Sequence, residues 1–257
     1  MRRSAELQSD KFFQWIRAQL EKRSAFYKVR LDKSTLRYEI NNILFRELKL
    51  SVEDIERLFI PFGQAGYLTP RQKFELMLFV LEKDYGNCFL FLEGTANDLV
   101  ITGDDIDYVY LQWLKEDRLF LSSEEKKEFF VQSLMDRLGL DILEVLKRAA
   151  PDGFLVGEFC PSFYEREAVE QRIAVCSKGS IIRLPFLAMK SKEELIRIIK
   201  HKLVLDNKGE LTMIDPIVDF VQEDGTCITA VRPPAGREWG IRVLYGAAGK
   251  EELEWRS

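Results

Sequence analysis

Arg232, Arg237 and Arg242 are the side chains in this sequence best suited to recognising a charged ligand. A guanidinium presents a rigid fork of donors that matches phosphate or carboxylate two bonds at a time. The chemistry these residues could support is therefore the binding of a nucleotide or of a partner, not the breaking of bonds. They cluster towards the end of a predicted sheet unit, and a simpler role fits them equally: pairing on the surface with local acids such as Glu238. The acids Asp98, Asp104, Asp105 and Asp107 could in principle hold a divalent cation through oxygen ligands. Their spacing is not that of a calcium loop, and acids in the first turn of a helix are accounted for by the helix dipole. No metal is expected there. His201 is the only histidine and falls near the C-terminal end of a predicted helix, where a cation complements the free carbonyls. One histidine without a Ser or Cys nucleophile motif does not make a triad. Cys88, Cys160, Cys176 and Cys227 lie far apart with no Cys-x-x-Cys pair. That pattern predicts buried, reduced thiols rather than a zinc site. Neither a catalytic residue nor a cofactor is expected.

Nucleotide hydrolysis by a phosphate loop requires Gly, four residues, then Gly-Lys-Ser/Thr, so that backbone amides wrap the phosphates and the hydroxyl holds the metal. No such string occurs. Gly246-Ala-Ala-Gly249-Lys250-Glu251 has too short a spacer and Glu where the hydroxyl belongs. It reads as part of a tail.

The elements that must position the arginines lie between Asp215 and Leu244. Two apolar runs, Ile217 to Val221 and Thr226 to Val231, flank Glu-Asp224-Gly225, and Asp-Gly tolerates the positive φ of a tight turn. Pro233-Pro234 ends the pairing, because neither residue can donate a ladder hydrogen bond. Gly240 to Tyr245 forms a third strand. Upstream, Phe154–Glu158, Ile173–Cys176 and Ile181–Arg183 are further short apolar runs, expected in the same sheet. Ser191 to Lys202 carries a capping box, Ser191 with Glu194, and a stripe of Leu195, Ile198, Ile199 and Leu203, the pattern of a helix packed on that sheet.

The first half of the chain reads as helices. Asp10 to Lys28 and Ser34 to Leu48 have helical apolar spacing, Ser51 caps a short helix through Phe59, and Thr69-Pro70-Arg71-Gln72 starts another that runs to about Lys83. Cys88 to Leu92 and Leu99 to Thr102 are either a small hairpin or connecting turns. Gly103 or Asp104 starts the next helix, and Ser122 or Ser123 caps the one after it. Trp239 and Trp255 lie in a Gly-rich, charged region, where an exposed ring could anchor a partner.

An apolar fraction of 46% is enough for a substantial core, and a net charge of −4 does not supply the basic footprint that nucleic-acid binding needs. The start, Met1-Arg2-Arg3, is followed by polar residues, so no signal peptide is expected. No apolar run approaches the ~18 residues that span a membrane.

The run Asp215-Pro-Ile-Val-Asp219, the Asp224-Gly225 turn, Ala230-Val-Arg-Pro-Pro234 and Ile241-Arg242 resembles the end of the N-terminal domain of type II/IV secretion ATPases, in particular the Tad/Flp pilus-assembly ATPases. Leu138-Gly-Leu-Asp141-Ile-Leu-Glu-Val-Leu is similar to the short helix leading into that domain, Asp152 to Glu158 to its first strand, Arg172 to Leu187 to its hairpin, and Ser191 to Lys202 to its crossover helix. The resemblance covers about Ser123 to Tyr245. Together with the helical spacing of the first half, it gives an expected α+β fold: a helical region over 1–121, an antiparallel-sheet α/β domain with one crossover helix over 122–247, and a tail over 248–257. In the family a phosphate-loop motor follows this domain, and none is present in these 257 residues. The resemblance places Arg242 where the family has the Arg of its Ile-Arg strand, and Cys227 where it commonly has an Arg that reaches nucleotide phosphates. It implies a non-catalytic assembly module in the cytoplasm, at the inner face of the membrane through its partners. Those partners would be other subunits of a pilus or secretion machine, with ATP at a shared interface as a further ligand and no nucleic acid. Two alternatives remain open: the front half of an ATPase whose motor sits on another chain, and a stand-alone ligand-binding or sensory domain.

Overall fold

The computed structural model describes residues 2–27, 33–62, 65–86, 100–138, 142–157, 173–189, 191–205 and 208–246. In chain order the helices are α1 (Arg2–Tyr27), α2 (Lys33–Asn41), α3 (Val52–Leu58), α4 (Pro70–Tyr85), α5 (Gly103–Lys115), α6 (Ser123–Leu138), α7 (Ile142–Ala149) and α8 (Lys192–Leu205). The strands are β1 (Gly153–Gly157), β2 (Ile173–Ser177), β3 (Ser180–Arg183), β4 (Ile217–Val221), β5 (Cys227–Val231) and β6 (Gly240–Leu244). The fold is α+β, a helical N-terminal region followed by one antiparallel sheet, as expected from the sequence.

Polar residues set the helix starts. Ser51 with Asp54, Thr69 with Gln72 and Thr102 with Asp105 each form a complete capping box. In each, a side-chain oxygen accepts from an amide of the first turn that has no partner within the helix. The Ser122 amide donates to Glu125 at 2.7 Å in the same manner. Helix α5 starts at Gly103, one of the two starts read from the sequence, and Thr102 caps it. Gly86 ends α4 at φ 64, a left-handed cap position natural for glycine. The predicted helix from Ser34 to Leu48 is α-helical only to Asn41. Asn42–Glu47 is a π-helical continuation, in which the Leu48 amide donates to Ile43 O at 2.9 Å. The run Cys88 to Leu92 and most of its predicted hairpin lie outside the described residues.

All six strands form one sheet in the order β3-β2-β1-β6-β5-β4. The last strand, β6, enters the middle and joins two halves: Leu155 pairs with Arg242, and Thr229 pairs with Arg242 from the other side. The connection carrying α8 runs from the edge strand β3 to the opposite edge strand β4. Gly153 and Gly157 bound β1 where it meets β6. A Cβ on Gly157 would stand 2.3 Å from Trp239 O, and one on Gly153 would stand 2.1 Å from Val243 O. Only glycine permits that approach.

A continuous apolar core runs from the helices into one face of the sheet. Ile16, Ile40, Phe74 and Phe130 come from the helices, Leu195, Ile198, Ile199 and Leu203 from α8, and Phe154, Val175, Ile228 and Ile241 from the strands. The stripe predicted for α8 is buried along its length. Helix α7 bridges the two regions, with Val145 and Leu146 fully buried and α6 and β1 as its neighbours. Further links are the edge-to-face Phe74–Phe186 pair at 5.2 Å and the bond from the Ile101 amide to Arg183 O at 2.9 Å.

Candidate interaction surface of the sheet

Strand residues alternate between faces, so the register of the six strands sorts every side chain. Phe220, Ile228, Val243, Phe154, Val175 and Ile182 share one row on the core face. The neighbouring row, Asp219, Thr229, Arg242, Leu155, Ala174 and Arg183, points to the second face. There Leu155 and Ala174, with Cys176 and Ile181, form a small separate cluster to which no described helix contributes.

The polar half of this row is a cross-strand relay. Asp219 on β4 accepts from the Thr229 hydroxyl on β5 at 2.8 Å, and Arg242 on β6 donates to the same oxygen at 3.4 Å. A hydroxyl can accept and donate at once, so it links carboxylate and guanidinium without direct contact. Thr229 is buried, Arg242 half-buried and Asp219 exposed. The two charges therefore remain at the surface, at opposite ends of a bond pair that fixes their spacing. The β4–β5 turn is held by Asp224, which accepts from the Thr226 amide at 2.9 Å, while Gly225 takes φ 82. That amide bond keeps the Asp224 carboxyl below its usual range.

The three arginines do not share one surface. Arg242 lies mid-sheet on the second face, not on an edge. Arg232, just beyond β5, stacks on Trp239 with its guanidinium carbon 5.0 Å from the ring centre, and donates to Pro233 O at 3.1 Å and Leu211 O at 3.4 Å. It clamps the loop end of the sheet, because strand alternation turns it to the face opposite Arg242. Arg237 is exposed on the connecting loop. Glu238, the acid expected to pair with these arginines, accepts from Lys192 of α8.

Trp239 is 7% exposed, so it is no surface anchor; Arg232 and Lys200 flank its ring. Its apolar body packs in the core while two cations use the faces of the indole. Trp255 lies outside the described residues. Cys176 and Cys227 form no disulfide and are half-buried on the second face, rather than fully buried as expected. Cys88 and Cys160 fall outside the described residues, as does the His201 side chain.

The acids considered for a metal have structural work. Asp105 accepts from the Thr102 amide at 2.7 Å, and these cap bonds hold its carboxyl below its usual range. Asp107 pairs with the buried Lys73 at 2.8 Å. Asp98 lies outside the described residues. Among the described residues, no group of three or more His, Cys, Asp or Glu side chains is placed to hold a metal ion.

Asp219 and Thr229 were not singled out as site residues in the sequence. Their signal was present: Asp219 interrupts an apolar strand at a position shared by Ile217 and Val221, and Thr229 faces it across the hairpin. Reading it required the Asp224-Gly225 turn to set the register.

No protein-family model matches this chain, and no curated protein matches it. No described helix is long and apolar enough to cross a membrane.

Proposed function

We propose that this chain is a non-catalytic assembly module, and that the second face of its sheet docks on a partner subunit of a pilus or secretion machine at the cytoplasmic side of the envelope. One observation carries this reading. The run that resembles the secretion-ATPase domain, Asp215 to Leu244, supplies all three members of the Asp219–Thr229–Arg242 relay, and it presents their two charges on the sheet face where Leu155, Ala174, Cys176 and Ile181 form a cluster separate from the main core. A charge held in place by a buried hydroxyl loses little side-chain freedom on binding, which favours recognition.

A second reading has specific support from Arg242. By the resemblance it lies where the family has its Ile-Arg arginine, and a half-buried guanidinium can meet a phosphate. In that reading the chain is the front half of an ATPase whose phosphate-loop motor is on another chain, with ATP at the shared interface. Co-elution of the purified chain with a motor-bearing secretion ATPase, with and without ATP, tests both. Complex formation independent of nucleotide supports the assembly module, and complex formation only with ATP supports the second reading. No association in either condition refutes both.

A further inference from the structure

We propose that the outer edge of β4 is a strand-addition site for an extended, basic segment of a partner protein, of the pattern apolar-x-Lys/Arg-x-apolar. This inference goes beyond the reading above and holds whether or not the partner belongs to a secretion machine.

The backbone settles which groups face outward. The Arg232 amide donates to Pro216 O at 3.0 Å, and the Gln222 amide donates to Thr226 O at 2.9 Å. Hydrogen-bonded pairs alternate along an antiparallel ladder, so Val218 and Phe220 also bond inward to β5. The amides and carbonyls of Ile217, Asp219 and Val221 therefore point away from the sheet. β4 is the last strand in the order, and its burial alternates between exposed and half-buried along its length.

Two of the three exposed side chains on this strand are apolar, flanking Asp219. Ile217 is 48% and Val221 45% exposed, and the preceding loop adds Met213 at 73% and Ile214 at 97%. Edges with exposed apolar residues are templates for another strand. Charge identifies the strand. From Gly209 to Thr226 the chain carries Glu210, Asp215, Asp219, Glu223 and Asp224, all exposed, and no Lys or Arg.

The same charge disfavours a second copy of this chain. Antiparallel pairing of β4 with itself, centred between Ile217 and Val221, places Asp219 opposite Asp219, and like charges directly across a ladder are destabilising. A basic residue in that place is favourable, and apolar residues two positions to either side would lie opposite Ile217 and Val221. Backbone bonds would supply the affinity and the alternate side chains the selectivity, as in other strand-addition complexes.

The test uses the full chain and a fluorescent peptide, Ser-Thr-Ile-Thr-Lys-Thr-Ile-Thr-Ser, with a second peptide carrying Glu in place of Lys. The Lys peptide is expected to bind about tenfold more tightly than the Glu peptide. Asp219→Asn, which keeps an acceptor for Thr229, is expected to reduce that preference to about twofold. In the complex, amide exchange at Ile217, Asp219 and Val221 should slow, while Val218 and Phe220, already bonded to β5, should change little. Equal binding of the two peptides, an unchanged preference in Asp219→Asn, or protection elsewhere in the sheet overturns the proposal. So does protection of the Ile217 and Val221 amides in the free protein, whether from self-association or from another segment of the same chain.

Discussion

Gly157→Ala and Gly179→Ala form a matched pair that tests how β6 enters the sheet. The two glycines have nearly the same backbone angle, φ 77 and φ 76. An alanine in that region carries a penalty of about 1–2 kcal/mol. It also stiffens the unfolded chain, which returns about 0.4–1 kcal/mol. These effects are common to both variants and leave Gly179→Ala destabilised by roughly 0–1.5 kcal/mol. Only the space around the new methyl differs. At Gly179 it meets nothing within 4 Å, whereas at Gly157 it stands 2.3 Å from Trp239 O and 3.1 Å from the Gly240 Cα. Those atoms are backbone and cannot rotate away, so β1 and β6 must separate locally. Overpacking of this kind costs a further ~1–3 kcal/mol. Urea denaturation should show Gly157→Ala less stable than Gly179→Ala by that margin, and thermal melts should separate them by about 2–12 °C. Equal losses for the two variants would refute the close β1–β6 approach.

Three further outcomes follow. Glu125 accepts from Lys83 and from the Ser122 amide and hydroxyl, which pulls its carboxyl from 4.5 down to about 2. A folded-state value below the unfolded one stabilises above pH 4.5 and is lost as pH falls towards about 2. Wild type should therefore exceed Glu125→Gln by about 1 kcal/mol near neutrality, and their stability curves should converge in acid. Cys227→Arg should fold with a loss under about 1 kcal/mol by thermal melt, because the half-buried site on the second face lets a long side chain reach water. The 257-residue chain should not hydrolyse ATP above background in a phosphate-release assay, since it contains no phosphate-loop string; turnover abolished by mutating its own residues would contradict this.

The fold was largely legible because its signals are local. Capping boxes at Ser51 and Thr69, the Asp224-Gly225 turn and the Leu195, Ile198, Ile199 and Leu203 stripe each depend on residues a few positions apart. Strand order did not depend on such neighbours. Nothing in Gly240 to Leu244 says that this run will lie between β1 and β5, because that placement is decided by long-range pairing and by the room Gly153 and Gly157 leave. The site was less legible for the same reason. Arg232 and Arg242 are close in sequence, yet Arg242 pairs with Thr229 and shares its face, while Arg232 follows Thr229 by three positions and so turns to the other face. Trp239, in a charged Gly-rich stretch, reads as exposed until Arg232 and Lys200 are seen against its ring.

The central claim is that the second face of the sheet, rather than the loop end, docks on a partner. Isothermal titration of a motor-bearing secretion ATPase with wild type, Arg242→Ala, and Arg237→Ala as the exposed loop control tests it most directly. Loss of a charged hydrogen bond at the interface predicts that Arg242→Ala binds more weakly by about 1–3 kcal/mol, with Arg237→Ala unchanged. Binding by Arg242→Ala with wild-type affinity would contradict the account.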